Sequence, residues 1–223
     1  MRANLTLSDR LLVLGDRFLR QVAGPKTGTV DIPPQTTGRP VPKGEPIDES
    51  FELSEREREL AIRLMRVNHA GEVAAQALYQ GQAATARDPQ TRAHMMAAGD
   101  EERDHLEWCE VRLQELGGAT SALTPFWYLG SLAIGATAGA SGDRWSLGFV
   151  AETERQVEEH LTEHLARLPA GDTRSRAILE QMQADEVRHG AAAMAAGGSE
   201  LPSAVRGVMR HVAKVMTRAA YWI

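Results

Sequence analysis

Glu72 in RVNHAGE (66–72), Glu102 and His105 in EERDH (101–105), Glu154 in AETER (151–155), and Glu186 and His189 in ADEVRH (184–189) make one pattern, written twice: a Glu, then Glu-x-x-His. The second copy is offset by 82 residues at the first Glu and by 84 at both members of the Glu-x-x-His pair. A Glu and a His three positions apart lie on one face of a helix, so both can turn toward a common centre. Two such helices, with one Glu from each of two others, supply four carboxylates and two imidazoles. In a dry core the four negative charges would repel one another, but they would balance two divalent ions. Oxygen and imidazole donors without thiolate suit iron or manganese better than structural zinc. We read the pattern as one di-iron site, with manganese as the competing metal.

Such a site needs four helices whose ligands meet at one height. In an antiparallel pair, residues equidistant from the turn share a height along the bundle. The midpoint between Glu72 and Glu102 is residue 87, beside Asp88-Pro89, and that between Glu154 and Glu186 is Ala170, in Pro169-Ala170-Gly171-Asp172. Both fall on turn signals.

The first helix is expected at 54–86, opened by a capping box of Ser54 and Glu57. Its stripe of Ile62, Met65, His69, Glu72, Gln76, Tyr79 and Ala83 places polar groups where a bundle core should be dry, a local rule broken at a useful place. The second, at 89–116, carries Met95, Ala98, Glu102, His105, Cys109 and Leu113 on one face and stops at Gly117-Gly118. On the third, at 143–168, the register of Leu147, Val150, Leu161 and Leu168 favours Glu154 over Glu158, although Glu152, Glu158, Glu159 and Glu163 crowd the same helix. The fourth, at 172–196, aligns Ile178, Met182, Glu186, His189 and Ala193 and ends at Gly197-Gly198.

Two further stretches lie outside this plan. The charge-free run from 116 to 142 has an apolar centre, 126–140, that would rise only about 22 Å as a helix against about 30 Å of hydrocarbon, so a bilayer span is not expected. It is either a buried connection between the halves or a membrane-facing, substrate-lining helix. After Pro202, a last amphipathic helix sets Arg206, Arg210, Lys214 and Arg218 four residues apart beside Val205, Val208, Val212 and Val215, with Tyr221-Trp222 at its end. It is either an accessory helix with a solvated basic face or a contact with anionic lipid.

The expected fold is all-α: a four-helix bundle of the ferritin-like kind, with the additional connecting helix and the C-terminal amphipathic helix. The 223 residues, 43% apolar and 5% aromatic, suit one aliphatic core. Residues 54–223 form the expected domain. Residues 1–53 precede it as an amphipathic segment at 7–22 and a linker holding six of the ten prolines, expected to be extended or mobile. Asp9 and Asp16 interrupt any apolar run long enough for a secretory signal. The formal charge of -5 gives no support to a nucleic-acid binder, and the single cysteine, Cys109, excludes an internal disulfide framework and fits a reducing compartment.

Of the remaining candidates, His69 and His160 are placed either near the metal ligands or as ordinary histidines, and His160 with His164 forms an i, i+4 pair lacking carboxylate partners. Glu101 and Asp185, each preceding a ligand Glu, are candidates to orient a His ring across the bundle. Tyr79, two turns beyond Glu72, either approaches the pocket or, more simply, fills the core, and Cys109 is read as a small core residue.

RVNHAGE with ALYQGQA (77–83), EERDH with LEWCE (106–110), and ADEVRH resemble the demethoxyubiquinone hydroxylase family of ubiquinone biosynthesis, especially its bacterial members, over about residues 59–223. The resemblance implies a ferritin-like bundle whose two Fe ions use O2 to hydroxylate a 2-polyprenyl-3-methyl-6-methoxy-1,4-benzoquinol. It implies Glu72, Glu102, His105, Glu154, Glu186 and His189 as ligands, with Glu102 and Glu186 as bridges. It also implies a peripheral enzyme on the cytoplasmic side of the cell membrane, with a polyprenyl quinol as substrate. With no glycine-rich dinucleotide fingerprint, electrons are expected from an external reductant or from the quinol, and other ubiquinone-biosynthesis proteins are candidate partners. Three competing readings are an iron-handling ferritin-like protein, another di-metal oxidase or peroxidase, and a metal-free membrane-surface adaptor.

Overall fold

The computed structural model describes residues 37–44 and 52–223, and the helix expected at 7–22 lies outside them. Among the described residues there are six helices: α1 (Glu55–Thr85), α2 (Pro89–Glu115), α3 (Thr124–Ala140), α4 (Asp143–Arg167), α5 (Thr173–Ala195) and α6 (Ser203–Trp222). Their starts follow from side chains that satisfy the first free amides. Ser54 accepts from the Glu57 amide while the Glu57 carboxylate accepts from the Ser54 amide, completing the capping box. Asp88 caps α2, with Pro89 at its first position, and Asp172 caps α5 by accepting from the Ser175 amide at 2.9 Å.

Contacts across the bundle give its direction. Asn68 meets His164 and Gln82 meets Ser146, so α1 and α4 run antiparallel. His105 meets Asp185 and Arg112 meets Asp172, so α2 and α5 do too. With short turns inside the pairs α1/α2 and α4/α5, all four neighbours alternate in direction, which leaves α2 and α4 parallel. The chain must then return the length of the bundle between them, and α3, about 25 Å long, makes that crossing along the outside of α1. This is the ferritin-like topology, with one long connection.

Glycines set how closely α3 approaches. A Cβ on Gly135 would strike the Leu78 carbonyl, and one on Gly81 would strike that of Leu132. Thr85 adds a hydroxyl bond to the Ala136 carbonyl at 3.1 Å. α6 packs on α1 beside α3. Its Ala220 and Tyr221 share a cluster with Trp127 at the start of α3, while Val205 and Met209 share another with Ala138 at its far end.

The core has two apolar layers. One contains Leu64, Met65, Trp108, Cys109, Leu113, Leu161, Ile178 and Met182, and the other Ala75, Tyr79, Met95, Leu147, Val150 and Ala193. On every bundle helix the charged positions fall between these layers, so packing on both sides holds the polar group at a fixed height.

The prolines do not make all of the N-terminal segment a free linker. Residues 37–44 have no regular secondary structure and are docked across α2 and α5. Arg174 donates to the Pro42 carbonyl at 2.6 Å, Val41 packs on the core, and Gly44 sits so tightly on the start of α5 that a Cβ would strike the Thr173 backbone.

Candidate metal centre

Each of the four bundle helices delivers its charged residues to the layer between the apolar shells. Two groups of ligand atoms, Glu72, Glu102, His105 and Glu186 in one and Glu102, Glu154, Glu186 and His189 in the other, each lie within 4.8 Å of one another. All six residues singled out by spacing are therefore in one buried cluster, and Glu102 and Glu186 are common to both halves. On α4 the cluster contains Glu154, 2% exposed; Glu158 is only part-buried, and Glu152 turns instead to Arg155 and Gln156.

Both histidines present Nδ1 inward. His105 Nδ1 lies 2.9 Å from Glu102 and 3.2 Å from Glu186; His189 Nδ1 lies 3.1 Å from Glu102 and 3.3 Å from Glu186. The outer nitrogens cross between helices: His105 Nε2 meets Asp185 at 3.0 Å, and His189 Nε2 meets Glu101 at 3.2 Å. A carboxylate only accepts, so each Nε2 carries a proton, and Nδ1 is the nitrogen whose lone pair would face a metal once its own proton leaves. Glu101 and Asp185 thus do orient the rings across the bundle.

The electrostatics are those of a cation site holding protons instead. Burial, reinforced by neighbouring carboxylates, raises Glu72 and Glu154 well above the usual carboxyl range. Burial acts in the same direction on Glu102, but His105 and His189 outweigh it and hold that carboxyl far below its ordinary value. Burial would depress both imidazoles, yet Glu102, Asp185 and Glu186 keep His105 well above the ordinary value, and Glu102 and Glu186 push His189 up to about 11.

The donor set fits metal ions. Glu102 Oε1 and Glu186 Oε1 are buried with no hydrogen bond of good geometry, although each has an imidazole within 3.2 Å. Buried carboxylate oxygens without partners are costly, and a cation between them would supply what the protein does not. All donors are oxygen or imidazole nitrogen.

The other candidates fall elsewhere. His69 Nε2 meets Glu110 at 3.3 Å; His164 meets Asn68 at 2.9 Å and lies against His160 with ring centroids 3.9 Å apart and planes tilted by 56°; none joins the cluster. Cys109 is wholly buried in the apolar layer, as expected. Tyr79 does more than fill the core: its hydroxyl donates to Glu154. The sequence offered one sign of this, the position of Tyr79 two turns beyond Glu72 on the same stripe. Tyr79→Phe removes the hydroxyl bonded to that carboxylate, and an expected loss of about tenfold in turnover, with helix content unchanged, is read by steady-state kinetics and circular dichroism. Turnover equal to wild type would leave Tyr79 a packing residue.

Antiparallel helices with one long crossover, enclosing a Glu and Glu-x-x-His cluster, define a ferritin-like bundle of the carboxylate-rich kind. Comparison with known proteins narrows this. The chain belongs to the COQ7 family: the model for ubiquinone biosynthesis protein COQ7 matches residues 59–220. It is 55% identical over 219 residues to the 3-demethoxyubiquinol 3-hydroxylase of Nitrosococcus oceani, covering 98% of each chain. Over 215 residues it is 54% identical to the enzyme of that name from Ralstonia pickettii, covering 96% of this chain and 99% of the other. With that of Cupriavidus taiwanensis the identity is 61% over 172 residues, covering 77% and 83%.

Proposed function

We propose that this chain hydroxylates the ring of a demethoxyubiquinol, a 2-polyprenyl-3-methyl-6-methoxy-1,4-benzoquinol, using O2 and two iron ions held by Glu72, Glu102, His105, Glu154, Glu186 and His189. The observation that carries the reading is the single buried cluster in which Glu102 and Glu186 belong to both halves, in a chain whose relatives bear the name of this hydroxylase. When bound, the iron pair supplies the electron transfer and Lewis acidity that O2 activation needs. Glu102 and Glu186 lie where one carboxylate each would serve both ions. Asp185 and Glu101 take the Nε2 protons and so aim His105 and His189 inward. Tyr79 holds Glu154 in place, and the two apolar layers keep bulk water from the reacting ring. In the net reaction an aryl C–H becomes C–OH, and the second oxygen atom leaves as water after accepting two electrons and two protons. The electrons come from an external reductant or from quinol. Residues 54–223 form the catalytic domain and residues 1–53 its extension.

Incubation of the iron-loaded chain with a short-tailed demethoxyubiquinol, a chemical reductant and 18O2 tests the proposal. The expected product is the hydroxylated quinol carrying one 18O; no product, or label drawn only from water, would refute it.

A polyprenyl substrate lives in the bilayer, and among the described residues no helix is long and apolar enough to cross one. The outer faces of α3 and α6 support a peripheral docking at the cytoplasmic side of the cell membrane instead. Phe126 and Leu129 on α3 and Val208, Val212, Val215 and Trp222 on α6 are exposed, Phe126 at 70% and Val208 at 64%. Arg206, Arg210, Lys214 and Arg218 lie beside the second stripe. Apolar insertion flanked by cations is the pattern of an interfacial helix on anionic lipid. The double substitution Val208→Asp/Val212→Asp is expected to weaken sedimentation with phosphatidylglycerol vesicles about tenfold or more, leaving metal uptake intact. Undiminished binding would assign α6 to a different surface.

A further inference from the structure

Arg39 reaches the flank of the candidate metal centre from outside the helices, in the segment at residues 37–44. Its Nε donates to Asp104 at 3.0 Å and its Nη1 to Asp185 at 2.6 Å, so one planar fork ties α2 to α5. The guanidinium lies 4.8 Å from the centre of the Trp108 ring, and the Trp108 indole donates to the Arg39 carbonyl at 3.4 Å. Thr37 adds its amide to Asp104 at 2.9 Å, and its hydroxyl bonds the same carboxylate.

Asp185 is the residue on which His105 depends: the Asp185 oxygen that takes the Arg39 bond also meets His105 Nε2 at 3.0 Å. Arg39 Nη2 itself approaches that nitrogen at 3.3 Å, and with Nε2 protonated toward Asp185 this contact is close approach rather than a bond. His189 has a parallel arrangement made from the bundle alone, with Glu101 as acceptor and Arg188 donating to Glu101 at 2.7 Å. On the His105 side Arg188 also reaches Asp185, at 2.9 Å, but the second cation, Arg39, comes from residues 37–44. Without Arg39, buried Asp104 loses that cation and buried Asp185 keeps Arg188 on its other oxygen, leaving the oxygen that meets His105 Nε2 without a guanidinium.

We infer that Arg39 is a positioning residue and residues 37–44 a clasp: by fixing Asp185, Arg39 holds the His105 ring in its metal-binding orientation and slows metal loss across the α2/α5 seam. The inference rests on the metal reading proposed above. Lysine cannot replace the fork, because an ammonium is a point charge that does not bind two carboxylates in one plane. Val41, held in the same segment by packing alone, separates clasping from simple coverage.

The test is the rate at which the full-length, ferrous-loaded chain gives up iron to a ferrous chelator under nitrogen, compared among wild type, Arg39→Gln, Arg39→Lys and Val41→Ala. Outer partners of ligating histidines typically change metal affinity ten- to a hundredfold, so Arg39→Gln is expected to release iron about tenfold faster or more, Arg39→Lys nearly as fast, and Val41→Ala within about twofold of wild type. Release from Arg39→Gln within about twofold of wild type would overturn the inference, as would equal acceleration by Val41→Ala, which would make the segment a cover. A metal-free readout separates the two claims. Hydrogen exchange at the Thr37 amide in the apo chain is expected to speed up in Arg39→Gln. If wild type takes up no iron, the metal reading fails and the positioning role with it, whereas an iron-binding wild type with unchanged exchange and release in Arg39→Gln contradicts the clasp alone.

Discussion

Glu102→Ala and Glu186→Ala are each expected to lower quinol hydroxylation by about a thousandfold or more, a barrier increase of about 4 kcal/mol, and to abolish uptake of the metal pair. Each residue belongs to both ligand groups, so one substitution damages both halves. The remaining three carboxylates no longer balance two divalent ions in a core where Glu102 is 1% exposed. Folding has to be separated from function, because Glu102 also pairs with His105 and His189 in the metal-free chain. Glu72→Gln and Glu154→Gln provide that separation. Burial and neighbouring charge raise both carboxyls and so favour their neutral form, and a neutral amide of the same shape should disturb apo stability less than the alanine substitutions do. Both should still lose metal affinity. Wild-type turnover in either alanine variant, measured on quinol product, would remove the site assignment.

Metal binding should release protons and tighten as pH rises. Glu72 and Glu154 are raised by burial, His105 is held above its ordinary value by its carboxylate neighbours, and His189 is pushed up to about 11, so ligation works against protons held on these groups, that of His189 above all. The linkage to folding has the matching sign. A folded value for His189 above the unfolded one, about 6.5, stabilises the apo chain fully below that unfolded value and is lost as pH climbs toward about 11. Anaerobic calorimetry of ferrous binding in buffers of different ionisation enthalpy counts the protons. A count of zero would mean that these groups do not act as ligands.

The cluster was legible in the sequence because a metal site of this kind is written in local spacing. Glu-x-x-His needs only one helix to be recognised, and the second copy, 84 residues on, supplies the partner face. The register of Leu147, Val150 and Leu161 was enough to prefer Glu154, since those side chains and Glu154 must share the inward stripe. The choice between a buried α3 and an exposed one had no single answer: Tyr128, Gly135 and Ala138 face the bundle while Phe126 and Leu129 face outward. Arg39 could not be read in advance. Its partners Asp104 and Asp185 lie 65 and 146 residues away, and a proline-rich segment has no periodicity to say which face it lays on a bundle. For Tyr79 the stripe showed only that it faces inward near Glu72; its partner, Glu154, lies 75 residues away on another helix.

The most direct measurement is the iron and manganese content per chain of freshly purified protein, before and after anaerobic loading, beside a Glu102→Ala/Glu186→Ala control. Two irons per wild-type chain, lost in the control, are the expected result. Two manganese ions in place of iron would contradict the hydroxylase chemistry, and no bound metal after loading would contradict the site itself.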